Sequence, residues 1–426
     1  MGPSKRRPTF ATSRHPPFPM IQREDFPYLQ SFVINDAYAV KNMTVPVFVS
    51  GESFKHLILT GRNGSGKTTV LRAIADVVRN DTSDIESSDT IVARAKNQLA
   101  TGTNTQDLVA YYQKKVDTLG KVTINYSDSP ASASQRLLQA KPQTIIAFFE
   151  ATRKVQVKEV KTISRDADLA AQLVQDPASP ATLFKQYLVN KKVFQVFEVM
   201  EGNEALAQQE AQFFTDLEKL LADIFAYPTL KLEFVRENFE FYIHLAEGRR
   251  VTFNQLSAGF SAFLSILTDL LLRVDLLRKE LKDYRYNPFG FVFIDEPETH
   301  LHLEMQYQIL PWLTRLFPNL QFIVATHSPA VASSIKNATV FDLSTGEIMG
   351  DEAAGSSYSE LMLTHFGVKD EYSNVADAIL TDINRIAALP DHAQARQEFL
   401  TLLEERGRYM SPGLRLEVEA QLIGLE

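Results

Sequence analysis

An α/β fold organised around a phosphate-binding loop is predicted by three stretches. Gly61-Arg62-Asn63-Gly64-Ser65-Gly66-Lys67-Thr68 follows the apolar run Leu57-Ile58-Leu59 and enters the helical pattern Val70-Leu71-Arg72-Ala73-Ile74-Ala75. Phe291-Val292-Phe293-Ile294 ends in Asp295-Glu296, and Phe322-Ile323-Val324-Ala325 ends in Thr326-His327-Ser328. Apolar runs without alternation are strands buried on both faces, and ligands of α/β sheets gather beyond the C-terminal ends of such strands.

The first stretch has the spacing G-x-x-x-x-G-K-[ST] between a strand and a helix, which is the P-loop pattern. Its glycines let the backbone wrap a phosphate chain, and the helix N-terminus adds its positive end. Gly61, Asn63, Gly64, Ser65, Gly66, Lys67, Thr68 and Thr69 are the expected ATP contacts. Lys67 would reach the β- and γ-phosphates, and the Thr68 hydroxyl would hold Mg²⁺. The plainer alternative is a glycine-rich turn that matches by chance.

A chain of 426 residues with 45% apolar content can bury a large core divided into two or three units. The net charge of −8 argues against nucleic-acid binding over the whole surface but leaves room for a local basic groove. With no cysteine, disulfides, thiolate metal sites and cysteine catalysis are excluded. No apolar run reaches the roughly 18 residues of a membrane span. Residues 1–24 are expected to form a flexible basic tail without the apolar segment of a secretory signal, so a cytoplasmic protein is expected.

In chain order, residues 29–34 and 45–49 read as strands of a small antiparallel lobe, separated at Asn35-Asp36 and Asn42-Met43. Tyr38 within it is a candidate to stack on adenine, or a core or surface tyrosine. The helix after the loop is expected to end near Arg79-Asn80, followed by an exposed loop over 81–89 and helical spacing over 91–118. Strands follow at 122–126 and 144–149. The second stops at Glu150 and Arg153, candidates for nucleotide contact or a solvated strand end. Residues 164–225 read as an insertion of two or three helices, after which strands resume. Residues 346–426 read as a C-terminal helical region punctuated by Pro390 and Pro412-Gly413.

Ser257-Ala258-Gly259 opens an apolar helix, a second N-terminus suited to an anion. One subunit has no evident use for two such ends. Across a dimer, Ser257 and Gly259 of one copy can close on the γ-phosphate held by the other; alone, the segment reads as a serine cap. Asp295 would complete the Mg²⁺ shell opposite Thr68, and Glu296 would polarise the attacking water, unless the pair is simply an acidic turn. Glu298, His300 and His302 are a conceivable zinc set, but His-x-His has no third anchored ligand beside it. His327 could hydrogen-bond the γ-phosphate or the water, or be a satisfied histidine at a strand end.

Together, and in this order, the four segments resemble the ATP-binding-cassette (ABC) ATPase class over most of residues 28–345. Asp295-Glu296-Pro297-Glu298-Thr299-His300-Leu301-His302 followed by Thr326-His327-Ser328-Pro329 is similar to its soluble branch, which holds overcoming-lysogenization-defect (OLD) nucleases, RecF-like repair ATPases and antiphage ATPases. Leu363-Thr364-His365-Phe366-Gly367-Val368 resembles the ATPase subunits of Septu-type and retron-associated defence systems. The resemblance implies a P-loop NTPase of ABC-ATPase head type over residues 25–345. That head has a mixed β core plus an antiparallel β lobe and a helical insertion at 164–225. It makes Gly61 to Thr68 the Walker A loop, Leu256 to Gly259 the signature, Asp295 the Walker B acid, Glu296 the catalytic base and His327 the switch histidine. Phe148 to Arg153 stand where such ATPases end a strand in a nucleotide-sensing arginine.

Phe260 and Ser261 depart from the polar residue usual after the signature glycine, which leaves closure on ATP intact and fast hydrolysis less secure. OLD members append a nuclease domain. Here the C-terminal region has no strand-borne Asp-x-Asp, and Asp166-Ala167-Asp168 reads as a helix cap, so a nuclease is expected on another chain. The function implied is an ATP-hydrolysing sensor or scaffold of a bacterial antiphage defence system. It would work as a homodimer or higher homo-oligomer through its ATP sites and control a separate effector, a nuclease. The rival is a DNA-repair or SMC- or RecF-like clamp gripping duplex DNA through Arg153, Lys154, Lys158, Lys161, Lys191 and Lys192, although solvated helix faces explain these as well. A transporter ATPase fits neither the insertion nor the 295–302 element.

Overall fold

Strands β1 (Leu29–Ala37) and β2 (Val40–Pro46) form a hairpin, and β3 (His56–Thr60) leads through the P-loop into helix α1 (Lys67–Ser83). The computed structural model describes residues 21–49, 54–84, 86–101, 105–151, 160, 180–281, 283, 285–364, 366 and 374–425. Strand β4 (Val122–Tyr126) returns to flank β1, so the antiparallel lobe runs β2-β1-β4. After β5 (Thr144–Phe149) and two long helices come β6 (Lys231–Val235), β7 (Glu240–His244) and β8 (Arg250–Thr252), a second antiparallel sheet. Strands β9 (Phe289–Asp295), β10 (Leu320–Ala325), β11 (Ala338–Asp342) and β12 (Ile348–Met349) complete a central sheet of order β12-β11-β3-β10-β9-β5. All its pairings are parallel except β11 with β12. Every residue of β3, β9 and β10 is buried, as an unalternating apolar strand must be between two layers. The parallel alignment brings Gly61, Glu296 and Thr326 to one edge.

Two compact units divide the chain, Met1–Ser356 and Ser357–Glu426. Within the second, helices Asn374–Ala387, His392–Arg406 and Pro412–Gly424 bury their own core of Ile379, Ile383, Phe399, Leu414 and Val418. Among the described residues no helix is long and apolar enough to cross a membrane.

Several boundaries differ from expectation. Asn35 and Asp36 lie inside β1 and Asn42 and Met43 inside β2; the turn falls at Tyr38, whose φ is 60°. Asn35 stays in the strand because its Nδ2 donates to Gly120 O and Thr123 Oγ1, both at 3.1 Å. The expected loop over 81–89 begins as helix, because α1 runs on to Ser83 and Asp81 is buried. The Asp81 carboxylate accepts from Ser88 N at 2.7 Å and Tyr126 OH at 2.9 Å, tying α1 to the lobe. The stretch over 91–118 is two helices, Ser88–Thr101 and Gln106–Leu119. The insertion shows helices Pro180–Met200 and Glu204–Ile224; residues 161–179, with Asp166 and Asp168, lie outside the described residues.

Candidate functional site

The chain leaves β3 through Gly61 at φ 130°. A Cβ there would meet Ser344 Oγ and Ser65 Oγ at 2.9 Å, so only glycine fits without a shift. Gly64 and Gly66 also have positive φ, 81° and 93°, and Gly66 gives α1 no side-chain cap. The first N–H groups of α1, at Lys67, Thr68 and Thr69, thus point along the helix axis as an anion site requires. Lys67 Nζ folds back onto Gly61 O at 2.8 Å and Arg62 O at 3.2 Å. Burial lowers its pKa, while the carboxylates of Glu296, Asp295, Asp342 and Glu298 pull it up. Ser65 Oγ is buried with no hydrogen-bond partner. Thr68 Oγ1 donates to Asp295 Oδ2 at 2.9 Å, pairing a hydroxyl with a carboxylate, the hard oxygen donors Mg²⁺ takes. A phosphate chain with its metal fits this set: left-handed glycines, an uncapped helix start, an orphaned hydroxyl and a lysine ammonium bonded to two carbonyl oxygens.

Glu296 sits at φ 46°, its N–H donating to Ala325 O at 2.8 Å and its carbonyl accepting from Thr299 Oγ1 at 2.9 Å. Its Oε1 is 4.0 Å from His327 Nε2. Burial and the nearby Lys67 lower the His327 pKa against the pull of Glu296. The sheet therefore gathers Lys67, Thr68, Asp295, Glu296 and His327 at one edge. Tyr38, 73% exposed, flanks the loop; its Cδ1 would lie 3.9 Å from a Cβ on Gly66.

Ser257 and Gly259 are placed differently. Ser257 is exposed and caps helix Ala258–Leu281 by accepting from Phe260 N at 3.4 Å. Gly259 is buried against the turn that follows β9, where a Cβ would come within 2.2 Å of His300 O. Phe260 stacks on Phe225 at the end of the inserted helices, with ring centroids 4.5 Å apart and planes at 11°, which accounts for an aromatic at that position. Glu298, of the zinc set, turns to the His327 backbone instead, while His302 stands at the start of helix Leu303–Leu316. Glu150 pairs with Arg72 at 2.9 Å on the surface, and Arg153 lies outside the described residues. Of the DNA-clamp cations, Lys191 is buried between Glu210 at 2.6 Å and Asp275 at 3.2 Å, so it offers nothing to a duplex. Lys192 is half-buried over the Phe214 ring, and Arg153, Lys154, Lys158 and Lys161 lie outside the described residues. Sequence reasoning missed Asp342 and Ser344: Arg62 N donates to Ser344 Oγ at 2.9 Å, and Ser344 N to Asp342 Oδ1 at 2.6 Å. The available signal was again an acid closing an apolar strand.

A fold with three buried parallel strands converging on a P-loop and an Asp-Glu pair defines a P-loop ATPase-like protein. Residues 57–333 match the family described as "AAA domain, putative AbiEii toxin, Type IV TA system", and the chain belongs to that AAA-domain family. It is similar to "Retron Ec83 probable ATPase" of Escherichia coli, 38% identical over 96 residues that cover 22% of this chain. "Retron Vc95 probable ATPase" of Vibrio cholerae is 32% identical over 96 residues. The chain spans 17% and 18% of the lengths of these two relatives. "Septu protein PtuA" of Bacillus thuringiensis is 22% identical over 283 residues, 64% of this chain and 66% of that protein. Among solved structures, the Smc head domain of Pyrococcus furiosus bound to the C-terminal domain of ScpA aligns at TM-score 0.37 and 14% identity, covering 78% of this chain and 98% of that one.

Proposed function

We propose that the chain binds ATP with Mg²⁺ and hydrolyses it at a site completed by a second copy, as the sensor or scaffold subunit of an antiphage defence system that controls a separate effector, a nuclease. The observation that carries this reading is the 2.9 Å contact between Thr68 Oγ1 and Asp295 Oδ2, beside the folded-back Lys67. Thr68 and Asp295 would hold the metal, which would supply charge neutralisation on the β- and γ-phosphates. Gly61, Asn63, Gly64, Ser65, Gly66 and Thr69 would hold the phosphates through their backbone, with Lys67 swinging from its carbonyl partners onto the γ-phosphate. Glu296 would take the proton of the attacking water, and His327 would donate to the γ-phosphate. Tyr38 would stack on the adenine. Ser257 and Gly259 would face a neighbour's triphosphate. The defence role rests on the retron and Septu relatives.

The test is ATP turnover and ATP binding by the purified chain. Lys67→Ala is expected to lose both. Glu296→Gln is expected to keep binding while turnover falls about 100- to 1,000-fold, the scale of losing one polar group of the reacting centre. Undiminished turnover in both variants rejects the reading.

A further inference from the structure

Among the acids that close and follow β9, Asp295 meets Thr68 and Glu296 stands by the His327 ring, whereas Glu298 meets the His327 backbone. Its Oε1 accepts the backbone N–H of His327 at 2.7 Å. Its Oε2 is buried with no hydrogen-bond partner. Burial raises the pKa of this carboxyl, against the hydrogen bond from the His327 backbone. Leaving an acceptor out of water is unfavourable, so a carboxylate kept there has a positional reason.

Backbone bonds supply the geometry around it. β10 lies parallel to β9 with Ala325 opposite Asp295, Glu296 N donates to Ala325 O at 2.8 Å, and Thr326 N donates to Leu59 O at 3.0 Å. Sheet pairing thus fixes the chain as far as Thr326. Beyond it, Ser328 N donates to Thr326 Oγ1 at 2.9 Å and Ser328 Oγ to Gln306 Oε1 at 2.6 Å. His327 lies between these anchors, and the bond to Glu298 crosses from the β9 turn to its own N–H.

We propose that Glu298 is a positioning residue for His327, holding the histidine backbone by its carboxylate so that the ring stays beside Glu296 and the Lys67 loop. The proposal rests on the ATPase reading only for its kinetic consequence. Glu298→Gln keeps an oxygen that can accept the N–H, whereas Glu298→Ala removes it. Turnover of ATP is expected to fall about 10- to 100-fold in Glu298→Ala, the scale of a misplaced reacting group, with KM within about threefold. Glu298→Gln is expected to restore most of it.

A second readout needs no turnover. The ε1 ¹³C–¹H resonance of His327, assigned by its loss in His327→Gln, is expected to shift in Glu298→Ala and to stay near its wild-type position in Glu298→Gln. An unmoved resonance in Glu298→Ala overturns the proposal even if turnover falls. A shifted resonance in a chain whose wild type hydrolyses no ATP supports the tether and rejects the ATPase reading instead. If Glu298→Ala does not fold, Glu298→Leu, which fills the space without an acceptor, replaces it with the same expected shift.

Discussion

The central sheet and the inserted helices treat polar groups in opposite ways. In β3, β9 and β10 the side chains are apolar apart from His56 and Gln321 near the strand starts and Thr60 and Asp295 at the ends. Charge is displaced to one edge, where Lys67 stands among four carboxylates. The inserted pair instead sinks its cations. Lys185 meets Glu240 at 2.6 Å, and Lys191 meets Glu210 and Asp275 with its ammonium 4.4 Å from the Phe213 ring centroid. The inserted helices pair their cations with one acid of their own and with acids of the strand and helix beside them, whereas the sheet edge gathers one cation and four carboxylates. An internal pair adds little net stability but tolerates only one arrangement of partners. Lys191 thereby sets how helix Pro180–Met200 seats on helix Ala258–Leu281.

The comparison can be broken first at Lys191. Lys191→Ala leaves Glu210 buried without its cation and Asp275 with Lys279 alone, at 3.6 Å, and a loss of about 3–5 kcal/mol is expected, read as a lower urea midpoint. Lys67→Ala, at the sheet edge, is expected to change stability by no more than about 1 kcal/mol in the same measurement. Equal losses in the two variants would erase the distinction.

The next effect is pH-dependent. Burial pushes the Asp269 carboxyl up to about 6 despite its ion pair with Arg273 at 2.8 Å. Because the folded pKa exceeds the unfolded one, the contribution of Asp269 is fully present below the usual aspartate pKa and is lost as pH rises through about 6. Relative to wild type, Asp269→Asn should therefore gain about 2 kcal/mol between pH 4 and pH 7 in denaturant titrations. A difference that does not vary with pH would contradict it. Smallest is Phe260→Ala, expected to lose about 1 kcal/mol of stacking on Phe225 and to leave ATP affinity unchanged.

The sheet and the edge that carries the candidate chemistry were legible because their signals are local. A strand's burial shows in its own residues, and Gly61 to Thr68 or Asp295-Glu296 carry spacing that one turn of backbone enforces. Asp81 was misread because Tyr126, the partner that draws it inward, lies 45 residues on, and an acid with a buried partner looks in sequence like a loop acid. Lys191 was misread for the same reason. Glu298 was visible as part of a possible zinc set, yet its bond to the His327 backbone depends on the parallel register of β9 with β10, which no spacing within 295–302 encodes.

Gly259 has a consequence for any assembly of this chain. With no atom between the helix start and the carbonyl of His300, the tip that would grip a neighbour and the bend that would serve the chain's own nucleotide are one mechanical part. In a pair of copies joined through such tips, strain from filling one pocket would pass directly into the other, and the two halves would keep time without a dedicated relay.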